Sequence, residues 1–385
     1  MKAAATDRIK VLHIITGLNV GGAENALCKL MEHIDRGRFE NAVVSLLPEG
    51  PLAERIRDAG VPVYSMNLRK NPSALLAFFR LLSLIKKVKP DVIQTWMYHA
   101  DLIGGLAGKI CGIPVIWNIR HSNLDPSLNK KTTLLIVKLC AQLSRLIPVK
   151  IVCCAQKALD VHVKVGYEKD KMLVIPNGFD TDVFHPDPES YIAVRKELGV
   201  DSDTMLVGMV GRFDPQKDHR NFFDAAKIIA SRNENVCFVL CGDGIDWKND
   251  SLVEMVDVTI RDRVHLLGRR MDMPRIYAAL DVFVLSSAGE AFPNVVGEAM
   301  ACGLPCVVTD VGDARLIVDG AGIAISPGDS MALARGIQTM LDMPEDEWFS
   351  LGIRSRRRMC HNFGVMSMSQ KYQCLYRGTV REKCR

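Results

Sequence analysis

Two cations in the second half of the chain have types and spacing suited to holding a diphosphate. Arg212 and Lys217 stand five residues apart in segment 211–218, directly after an apolar run. An arginine fork and a lysine point charge are side chains that proteins use to neutralise phosphate oxygens. A solvated basic loop would contain the same residues, so this motif alone leaves both interpretations open.

Two carboxylates lie further along the chain, where another apolar run ends. Glu290 stands on a predicted loop, and Glu298 stands in the first turns of a helix predicted to begin near Val295. Free amides at a helix N-terminus bind phosphate oxygens, and carboxylates nearby can accept hydrogen bonds from sugar or ribose hydroxyls. Glu298 could instead simply complement the helix dipole. That role would not explain the loop itself, where Phe292 and Pro293 look exposed.

The first half of the chain contributes a glycine segment and a histidine. Gly21 and Gly22 lie in segment 16–24, between a predicted strand and a predicted helix. Glycines there let backbone amides approach a phosphate, although a tight strand-to-helix turn is an equally good interpretation. His121 follows a later strand and could bind a hydroxyl or carry a proton near neutral pH. A lone histidine is more often structural than catalytic.

Short β-like runs alternate with helical segments along the whole chain, which indicates parallel sheets flanked by helices. Segment 74–88 is one such predicted helix, with lysines at its C-terminal end. Ligands of open α/β sheets bind outside the carboxyl ends of the strands, so two such domains facing each other would form a cleft. The predicted strands are 11–15, 42–46, 61–65, 91–95, 114–118, 150–153, 205–210, 236–241, 264–267, 281–285, 305–309 and 322–325.

The strand pattern starts afresh in the second half, and 385 residues suit two domains better than one. Segment 177–198 offers no strand and contains Pro186 and Pro188, so the boundary is placed near residue 186. The predicted domains are 1–186 and 187–360. The polar segment 345–381 is predicted to form one or two helices. Residues 361–385 are predicted to form a C-terminal helix that packs back on the first domain.

The composition is that of an ordinary globular protein, with 48% hydrophobic and 24% charged residues. No apolar run approaches the ~18–20 residues that span a bilayer, and residues 1–10 lack the apolar core of a secretory signal. These features predict a cytoplasmic protein. The twelve cysteines contain no C-x-x-C pair, which favours reduced, buried thiols over zinc. Asp201 and Asp203 form a D-x-D triplet before a strand, which is predicted to be a turn, so no metal is expected.

Positive charge is concentrated in the first half. Residues 1–186 contain 25 Lys and Arg against 16 Asp and Glu, whereas residues 187–385 contain 24 against 28. A basic domain attracts anionic partners such as a pyrophosphate or a membrane surface. The cationic, apolar segment 130–150 is consistent with contact at the inner face of an anionic membrane, but also with a packed helix that has a charged face. No nucleic-acid-binding motif is found.

Taken together, these motifs resemble glycosyltransferase family 4, the large retaining family of group 1 enzymes with the GT-B fold. That fold has two Rossmann-like, doubly wound parallel-sheet domains facing a central cleft. The resemblance covers most of the chain and is strongest over residues 208–312. The matching segments are GRFDPQK at 211–217, LCGDG at 240–244, LLG at 266–268, EAFPN at 290–294, EAMACGLP at 298–305, GGAE at 21–24, His121 and NGFD at 177–180.

The resemblance implies a role for each matching donor-site residue. Arg212 and Lys217 would hold the donor diphosphate, Glu298 the ribose hydroxyls, and Glu290 the hydroxyls of the transferred sugar. Leu267 would lie where the chain contacts the base of the donor nucleotide. The backbone of the loop and helix start would approach the sugar and phosphate, through Phe292, Pro293, Asn294 and Val295.

The family also implies roles in the first domain. Gly22 would let its loop close over the donor phosphate, and His121 would meet the transferred sugar near the reacting carbon. One residue departs from the family, because Ala291 stands where glycine is common after the first glutamate. Alanine restricts positive φ, which leaves donor selectivity open.

The implied reaction is transfer of a hexose or N-acetylhexosamine from a nucleotide sugar, most commonly a UDP-sugar, with retention and without a metal or other cofactor. The implied acceptor is a glycan or polyprenyl-lipid-linked sugar in cell-surface polysaccharide synthesis. Two alternatives stay open, a nucleotide-sugar epimerase of GT-B fold and a non-catalytic nucleotide-sugar-binding member. A nucleotide-binding oxidoreductase is disfavoured because the G-x-G-x-x-G fingerprint is missing.

Overall fold

A computed structural model describes residues 8–68, 73–126 and 129–383. Residues 1–7, which bear on the prediction about a secretory signal, lie outside this range. The strands are β1 Ile9–Ile15, β2 Phe39–Ser45, β3 Val63–Ser65, β4 Val92–Trp96, β5 Val115–Ile119, β6 Pro148–Cys153, β7 Met172–Val174, β8 Met205–Val210, β9 Val236–Cys241, β10 Val264–Leu266, β11 Val282–Leu285, β12 Cys306–Thr309 and β13 Gly322–Ile325.

Helices connect successive strands through most of the chain, and a final pair of helices follows the last strand. The helices are α1 Gly22–His33, α2 Leu52–Asp58, α3 Ser73–Val88, α4 Tyr98–Ile110, α5 Lys131–Leu143, α6 Gln156–Val165, α7 Pro188–Leu198, α8 His219–Ala230, α9 Asp250–Val253, α10 Met273–Ala279, α11 Asn294–Ala301, α12 Ala314–Val318, α13 Ser330–Leu341, α14 Glu345–Asn362 and α15 Val365–Lys383.

The chain divides into two compact units. Unit 1 comprises the residues up to Gly178 together with those from Val365 onward. Unit 2 is Phe179–Gly364. The domain limits predicted from the sequence, at residues 186 and 360, stay a prediction. The polar segment 345–381 forms two helices, α14 and α15, because the helix stops at Phe363 and Gly364.

Unit 1 contains a seven-stranded parallel sheet in the order β3-β2-β1-β4-β5-β6-β7. Its core includes β1, α1, α2 and the inner face of α15. Tyr372 and Tyr376 of α15 are fully buried, and the Tyr376 ring lies 6.0 Å from that of Phe39. The Tyr376 hydroxyl donates to Gln94, and Tyr372 accepts from Asn118 Nδ2 at 3.0 Å. The last helix is therefore built into the core of unit 1.

Unit 2 contains a six-stranded parallel sheet in the order β10-β9-β8-β11-β12-β13. Phe222 and Phe238 are fully buried between this sheet and α8, with ring centroids 6.2 Å apart. In each sheet, later strands are added outward on both sides of two adjacent central strands. These central strands are β1 and β4 in unit 1 and β8 and β11 in unit 2. The prediction of two doubly wound α/β sheets is confirmed.

Every predicted strand is present, and its bounds shift by at most a few residues. The sequence analysis missed one strand, Met172–Val174, because three half-buried residues are too short a run to show a period. It predicted no strand in segment 177–198, and no strand of either sheet lies there, but it did not identify the helix Pro188–Leu198, which Asp187 caps. The triplet around Ser202 is a turn, as predicted.

The cysteines in the described part of the chain are all free thiols. Most are buried, as predicted, but Cys360 and Cys374 are exposed. Across the described residues, no helix combines the length and the apolar character needed to cross a membrane.

Candidate donor site and first-unit edge

The loop after β8 is the first part of the candidate site, and backbone contacts fix its path. Gly211 donates its N–H to Cys241 at 2.9 Å, and Phe213 donates to Asp243 at 2.7 Å. Gly242 packs against the Gly211 carbonyl so closely that any Cβ there would clash with it. Glycine is therefore required at position 242 by this close approach of the two neighbouring loops.

Arg212 extends from this loop into solvent, with 64% of its side chain exposed. Its Nε and Nη2 donate to Asp214 Oδ2 at 3.0 and 2.8 Å. Partial burial opposes ionisation of Asp214, but the Gln216 N–H and the Arg212 guanidinium outweigh it and lower the pKa of that carboxyl. Asp214 thus stays charged and holds the guanidinium in a fixed, accessible position.

Lys217 and Glu290 form a direct ion pair. Nζ lies 2.5 Å from Oε1, and the two side chains are only 17% and 13% exposed. Ser287 Oγ donates to the same carboxylate oxygen at 2.9 Å. The structure therefore brings together the residue predicted to hold phosphate and the residue predicted to meet the sugar.

Further hydrogen bonds join the two loops that carry this pair. Ala288 donates its N–H to the Gln216 carbonyl at 2.8 Å, and the Gln216 side chain donates to the Gly289 carbonyl. Ser286 Oγ donates to the Lys217 carbonyl at 2.9 Å. Because backbone and side-chain bonds both cross the gap, the two loops form one rigid surface at the carboxyl ends of β8 and β11.

The expectation that Phe292 is exposed is wrong. Its side chain is 6% exposed and its ring lies 6.1 Å from Phe179 and 5.7 Å from Phe363. Pro293 is buried as well. These rings anchor the loop, and at positions 292 and 293 the side chains face the interior of unit 2. The Phe179 ring also covers α11 at Gly297, where a Cβ would clash with it.

Helix α11 begins at Asn294, directly after this anchored loop. Pro293 occupies the N-cap and provides no side-chain hydrogen bond to the first amides. Asn294 and Val295 are half-buried at the first turn. An N-terminus of this kind presents backbone donors and the positive end of the helix dipole to an anion.

Glu298 lies one turn into α11 and is half-buried. Tyr277 donates its hydroxyl to Glu298 Oε2 at 3.1 Å. Burial first, and then the neighbouring Glu298 carboxylate, raise the pKa of Tyr277 far above its usual value. The tyrosine thus stays a hydrogen-bond donor and orients the carboxylate.

Leu267 follows β10 and is linked to Glu298 through α10. Its N–H donates to Leu240 at 2.9 Å, and its side chain packs against a small cluster that includes Ile276 of α10. Tyr277 is the next residue of that helix. The next residue after Leu267, Gly268, has a φ of +64°, which favours glycine.

In unit 1, Gly22 is the exposed first residue of α1. The N-cap residue Gly21 has an extended backbone and no side chain to cap the helix. A Cβ there would meet Glu24 Oε2 at 2.5 Å, so this glycine lets Glu24 fold back over the helix start. Burial raises the pKa of Glu24, and the charge of Arg120 opposes the increase.

His121 is half-buried two residues after β5. Its charge interacts with His162, which Tyr98 contacts at 2.8 Å between Oη and Nε2. The preceding residue, Arg120, donates to Asn177 and lies 5.5 Å above the Trp96 ring. Gly22 and His121 therefore lie at the carboxyl edge of one sheet, in the unit that does not contain the other predicted site residues.

Sequence reasoning missed the supporting residues Gln216, Tyr277, Ser287 and Arg120. Gln216, Tyr277 and Arg120 act through hydrogen bonds to partners more than 20 residues away in the chain, which no local pattern reveals. Ser287 bonds to Glu290 only three residues later, but neither residue type marks that contact in the sequence. Arg120 could have been noticed, since it adjoins His121 and Asn177 belongs to a quoted motif. Within residues 8–68, 73–126 and 129–383, no three His, Cys, Asp or Glu side chains cluster in a way that could hold a metal ion. Metal independence stays a prediction.

Comparison with known proteins places the chain among glycosyltransferases. The chain is 27% identical over 98% of both chains to an Escherichia coli enzyme, UDP-Gal:alpha-D-GlcNAc-diphosphoundecaprenol alpha-1,3-galactosyltransferase. It is 23% identical to a Campylobacter jejuni enzyme, N,N'-diacetylbacillosaminyl-diphospho-undecaprenol alpha-1,3-N-acetylgalactosaminyltransferase, over 89% of this chain and 92% of that one.

Solved structures show the same fold. The crystal structure of Anabaena HepE in complex with UDP has a TM-score of 0.82, with 24% identity over 96% of this chain and 100% of that one. The fold is GT-B, as the resemblance implied.

Two family models match consecutive parts of the chain. The Glycosyltransferase Family 4 model matches residues 20–183, and the Glycosyl transferases group 1 model matches residues 204–343. Together the matches cover well over half of the sequence and fall on the two sheets in turn. The chain belongs to glycosyltransferase family 4, the group 1 glycosyltransferases.

Proposed function

We propose that this chain transfers a hexose or N-acetylhexosamine from a UDP-sugar, with retention, to a glycan or lipid-diphosphate-linked acceptor in cell-surface polysaccharide synthesis. The observation that carries the proposal is the Lys217–Glu290 pair, held by cross-bonded loops beside the start of α11. The E. coli and C. jejuni relatives act on diphospho-undecaprenol-linked sugars, and HepE binds UDP. These relatives support the choice of donor and acceptor class.

The donor diphosphate is proposed to bind between Arg212 and Lys217. The exposed guanidinium supplies a fork for one phosphate, and the lysine supplies a point charge for the other. The α11 amides then add partial positive charge at Asn294. These groups neutralise a departing nucleotide diphosphate, so the reaction is proposed to need no metal.

Binding of the diphosphate also changes the environment of Glu290. In the structure its carboxylate is held by Lys217 and Ser287. When phosphate oxygens share the lysine, Glu290 keeps the serine bond and can accept a hydrogen bond from a sugar hydroxyl. Glu298, oriented by Tyr277, is proposed to accept hydrogen bonds from the ribose in the same way.

The chemical step is proposed to be front-face substitution at the anomeric carbon. The bond from that carbon to the diphosphate oxygen breaks, and the acceptor hydroxyl forms the new bond on the same face. The hydroxyl proton passes to the departing phosphate, so no protein nucleophile is assigned. Preorganised cations stabilise the charge that develops on the leaving group, the type of contribution that is often largest in enzymes.

Thermal stability against a panel of nucleotide sugars tests the donor site. A donor at about 100 times its Kd should add about 2.7 kcal/mol to the free energy of unfolding. Glu298→Ala should lose most of this stabilisation, whereas Glu234→Ala, which removes an exposed carboxylate elsewhere in unit 2, should keep it. Failure of every nucleotide sugar to stabilise the wild type would contradict the proposal.

The products formed separate the remaining interpretations. Sugar transfer to an added lipid-linked acceptor supports the transferase. Consumption of the donor to give an isomeric sugar, with no acceptor present, would instead show an epimerase. Donor binding without turnover under either condition would show a non-catalytic member. The cytoplasmic location stays a prediction.

A further inference from the structure

One arginine of unit 1 is half-buried without a full set of partners. Arg120 follows β5 directly, and its Nη2 donates to the Asn177 side chain. Its Nη1 is shielded from solvent but donates no hydrogen bond to any residue in the ranges 8–68, 73–126 and 129–383. No described carboxylate forms an ion pair with the guanidinium either. A buried donor without an acceptor destabilises a folded protein, so Nη1 needs a partner that these residues do not supply.

The guanidinium lies where ligands of such sheets bind. It stands 5.5 Å from the ring centre of Trp96, the last residue of β4. Strands β1 and β4 are the adjacent central strands from which the sheet of unit 1 extends in both directions. In open α/β sheets, ligands bind in the crevice outside the carboxyl ends of such a strand pair. The Arg120 cation therefore lies at the expected binding crevice of unit 1.

The start of α1 lies at the same edge of the sheet. The charge of Arg120 acts on the carboxyl of Glu24, which belongs to the first turn of α1. The helix has no side-chain cap, and its first residue, Gly22, is exposed. A helix start of this kind offers backbone donors and partial positive charge. The dipole of α1 therefore adds to the attraction of Arg120 for an anion.

Glu24 does not act as the counterion of Arg120. Its carboxylate folds back over its own helix start, where a Cβ on Gly21 would lie 2.5 Å from Oε2. Burial raises the pKa of this carboxyl, and the Glu24 N–H and the Arg120 charge only partly offset the increase. The carboxylate is thus poorly stabilised beside the guanidinium, which keeps its charge available to a ligand.

We infer that Arg120 is a further substrate-binding residue, whose guanidinium donates to phosphate oxygens of a substrate diphosphate. The planar fork of arginine matches two phosphate oxygens, and the long side chain can turn to present Nη1. The inference rests on the proposed function, since the UDP-sugar and the lipid-diphosphate-linked acceptor both carry a diphosphate. We expect the acceptor to be the source, because Arg212 and Lys217 already provide cations for the donor in unit 2.

Calorimetric titration of the full chain with geranyl diphosphate tests the inference. This compound has the diphosphate and the start of the lipid of a polyprenyl-linked acceptor, and saturating UDP keeps the diphosphate site of unit 2 occupied. Wild type should bind it, and Arg120→Gln should raise its Kd at least about tenfold, the effect of losing a charge-assisted hydrogen bond. Arg120→Lys keeps the charge without the fork and should raise the Kd about threefold.

A titration with UDP alone distinguishes the two sources of the diphosphate. If the acceptor is the source, wild type and Arg120→Gln bind UDP with the same Kd. A Kd for UDP that rises at least about tenfold in Arg120→Gln, with no change for geranyl diphosphate, would support the phosphate contact and assign it to the donor. Unchanged Kd values for both ligands would overturn the inference.

Arg38→Gln is the matched control. Arg38 is another arginine of unit 1, with 69% of its side chain exposed, and its removal changes the net charge equally. This variant should bind both ligands as the wild type does, and a loss as large as that of Arg120→Gln would overturn the inference. Thermal unfolding without ligand shows whether Arg120→Gln is folded. If it is not, Arg120→Lys decides, and an unchanged Kd in that variant would also overturn the inference.

Transfer assays separate this inference from the proposed function. Geranyl diphosphate binding that depends on Arg120, without transfer from any nucleotide sugar, would support the phosphate contact while contradicting the transferase. Transfer by the wild type, with Kd values that do not depend on Arg120, would overturn the inference alone. Where transfer occurs, Arg120→Gln should raise KM for a diphosphate-linked acceptor more than it lowers kcat, because the contact is made in the bound substrate as well as in the transition state.

Discussion

The carboxyl edges of the two sheets hold their polar groups in different ways. In unit 2 the Lys217–Glu290 pair and Arg212 lie at or near the surface, on loops joined by hydrogen bonds. In unit 1, comparable groups are buried beneath the edge. Asp101 is fully buried and Tyr98 and His162 form a buried pair beside it. The edge of unit 2 thus presents paired charges at or near the surface, whereas the interior beneath the edge of unit 1 holds polar groups away from water.

Burial determines the protonation state of the groups in unit 1. It raises the pKa of Asp101 to about 8, although hydrogen bonds from Thr95 Oγ1 and the Asn118 N–H act in the opposite direction. It lowers the pKa of His162 to about 4. Both groups are therefore mainly neutral at pH 7, whereas the charged groups of unit 2 are compensated by one another. Paired charges near the surface and buried neutral polar groups therefore occupy corresponding places in two similar sheets.

The largest expected effect comes from removing the two cations of unit 2. Arg212→Ala with Lys217→Ala should lower kcat/KM for sugar transfer at least about 1,000-fold, because each preorganised donor can contribute about 100-fold or more. Steady-state release of the nucleotide diphosphate measures this. Lys196→Ala with Arg232→Ala removes two exposed cations of the same unit and should leave the rate unchanged. A double variant with near-normal turnover would break the assignment of function to these loops.

The next effect concerns the buried carboxyl of unit 1. Below about pH 8 folded Asp101 keeps its proton, whereas the unfolded chain loses it near pH 4. The folded state thus binds more protons across this window, and Asp101 makes stability fall as the pH rises, by about 1.4 kcal/mol per pH unit. Asp101→Asn removes this dependence. The free energy of unfolding of the variant should therefore rise relative to that of the wild type from pH 5 to pH 8.

Urea unfolding of both proteins at pH 5, 6.5 and 8 measures this difference. Comparing the two proteins is necessary because His162 and His13 act in the opposite direction. Burial lowers both of their pKa values to about 4, so they make stability fall as the pH decreases from about 6.5 to about 4. A stability difference between wild type and Asp101→Asn that is constant from pH 5 to pH 8 would show that the carboxyl ionises normally.

A smaller effect tests the support beneath the unit 2 loop. Gly297→Ala places a Cβ against the Phe179 ring and should destabilise the protein by about 1–3 kcal/mol. Gly378→Ala is the matched change in unit 1, on α15, where a Cβ meets nothing within 4 Å. That variant should be neutral or more stable by up to about 1 kcal/mol. Denaturant midpoints measure the stability of both variants. Equal midpoints would show that the Phe179 ring moves aside without loss of stability.

The smallest effect concerns the orientation of Glu298. Tyr277→Phe removes one hydrogen bond to the carboxylate and should weaken donor binding about fivefold, which corresponds to ~1 kcal/mol. Calorimetric titration with the nucleotide diphosphate measures the change. Tyr64→Phe, at an exposed position of unit 1, should bind as the wild type does. Unchanged affinity in Tyr277→Phe would mean that Glu298 needs no such support.

Local patterns predicted the two sheets well because buried parallel strands are continuous apolar runs. The same patterns predicted the bounds of most strands, but not the short strand Met172–Val174. The exposure of Phe292 was wrong because Phe179 and Phe363, which cover it, lie more than 70 residues away on either side. The motif residues were found because their types are chemically distinctive.

The supporting contacts of those residues could not be found in the same way. Gln216 acts through bonds to backbone atoms of another loop, and Tyr277 acts through a carboxylate on another helix. Neither residue type is unusual at a buried or loop position, so only the tertiary structure identifies them. Sequence therefore predicts which residues meet a ligand better than it predicts what holds them in place.

The passage of the chain back into unit 1 after Gly364 has a consequence for its biosynthesis. Chains fold as they are made, with the N-terminal parts first. The core of unit 1 needs Tyr372 and Tyr376 of α15, which the ribosome adds only after all of unit 2. Unit 1 thus cannot complete its core until this last segment has left the ribosome, and until then an apolar surface beside β1 and α1 stays open.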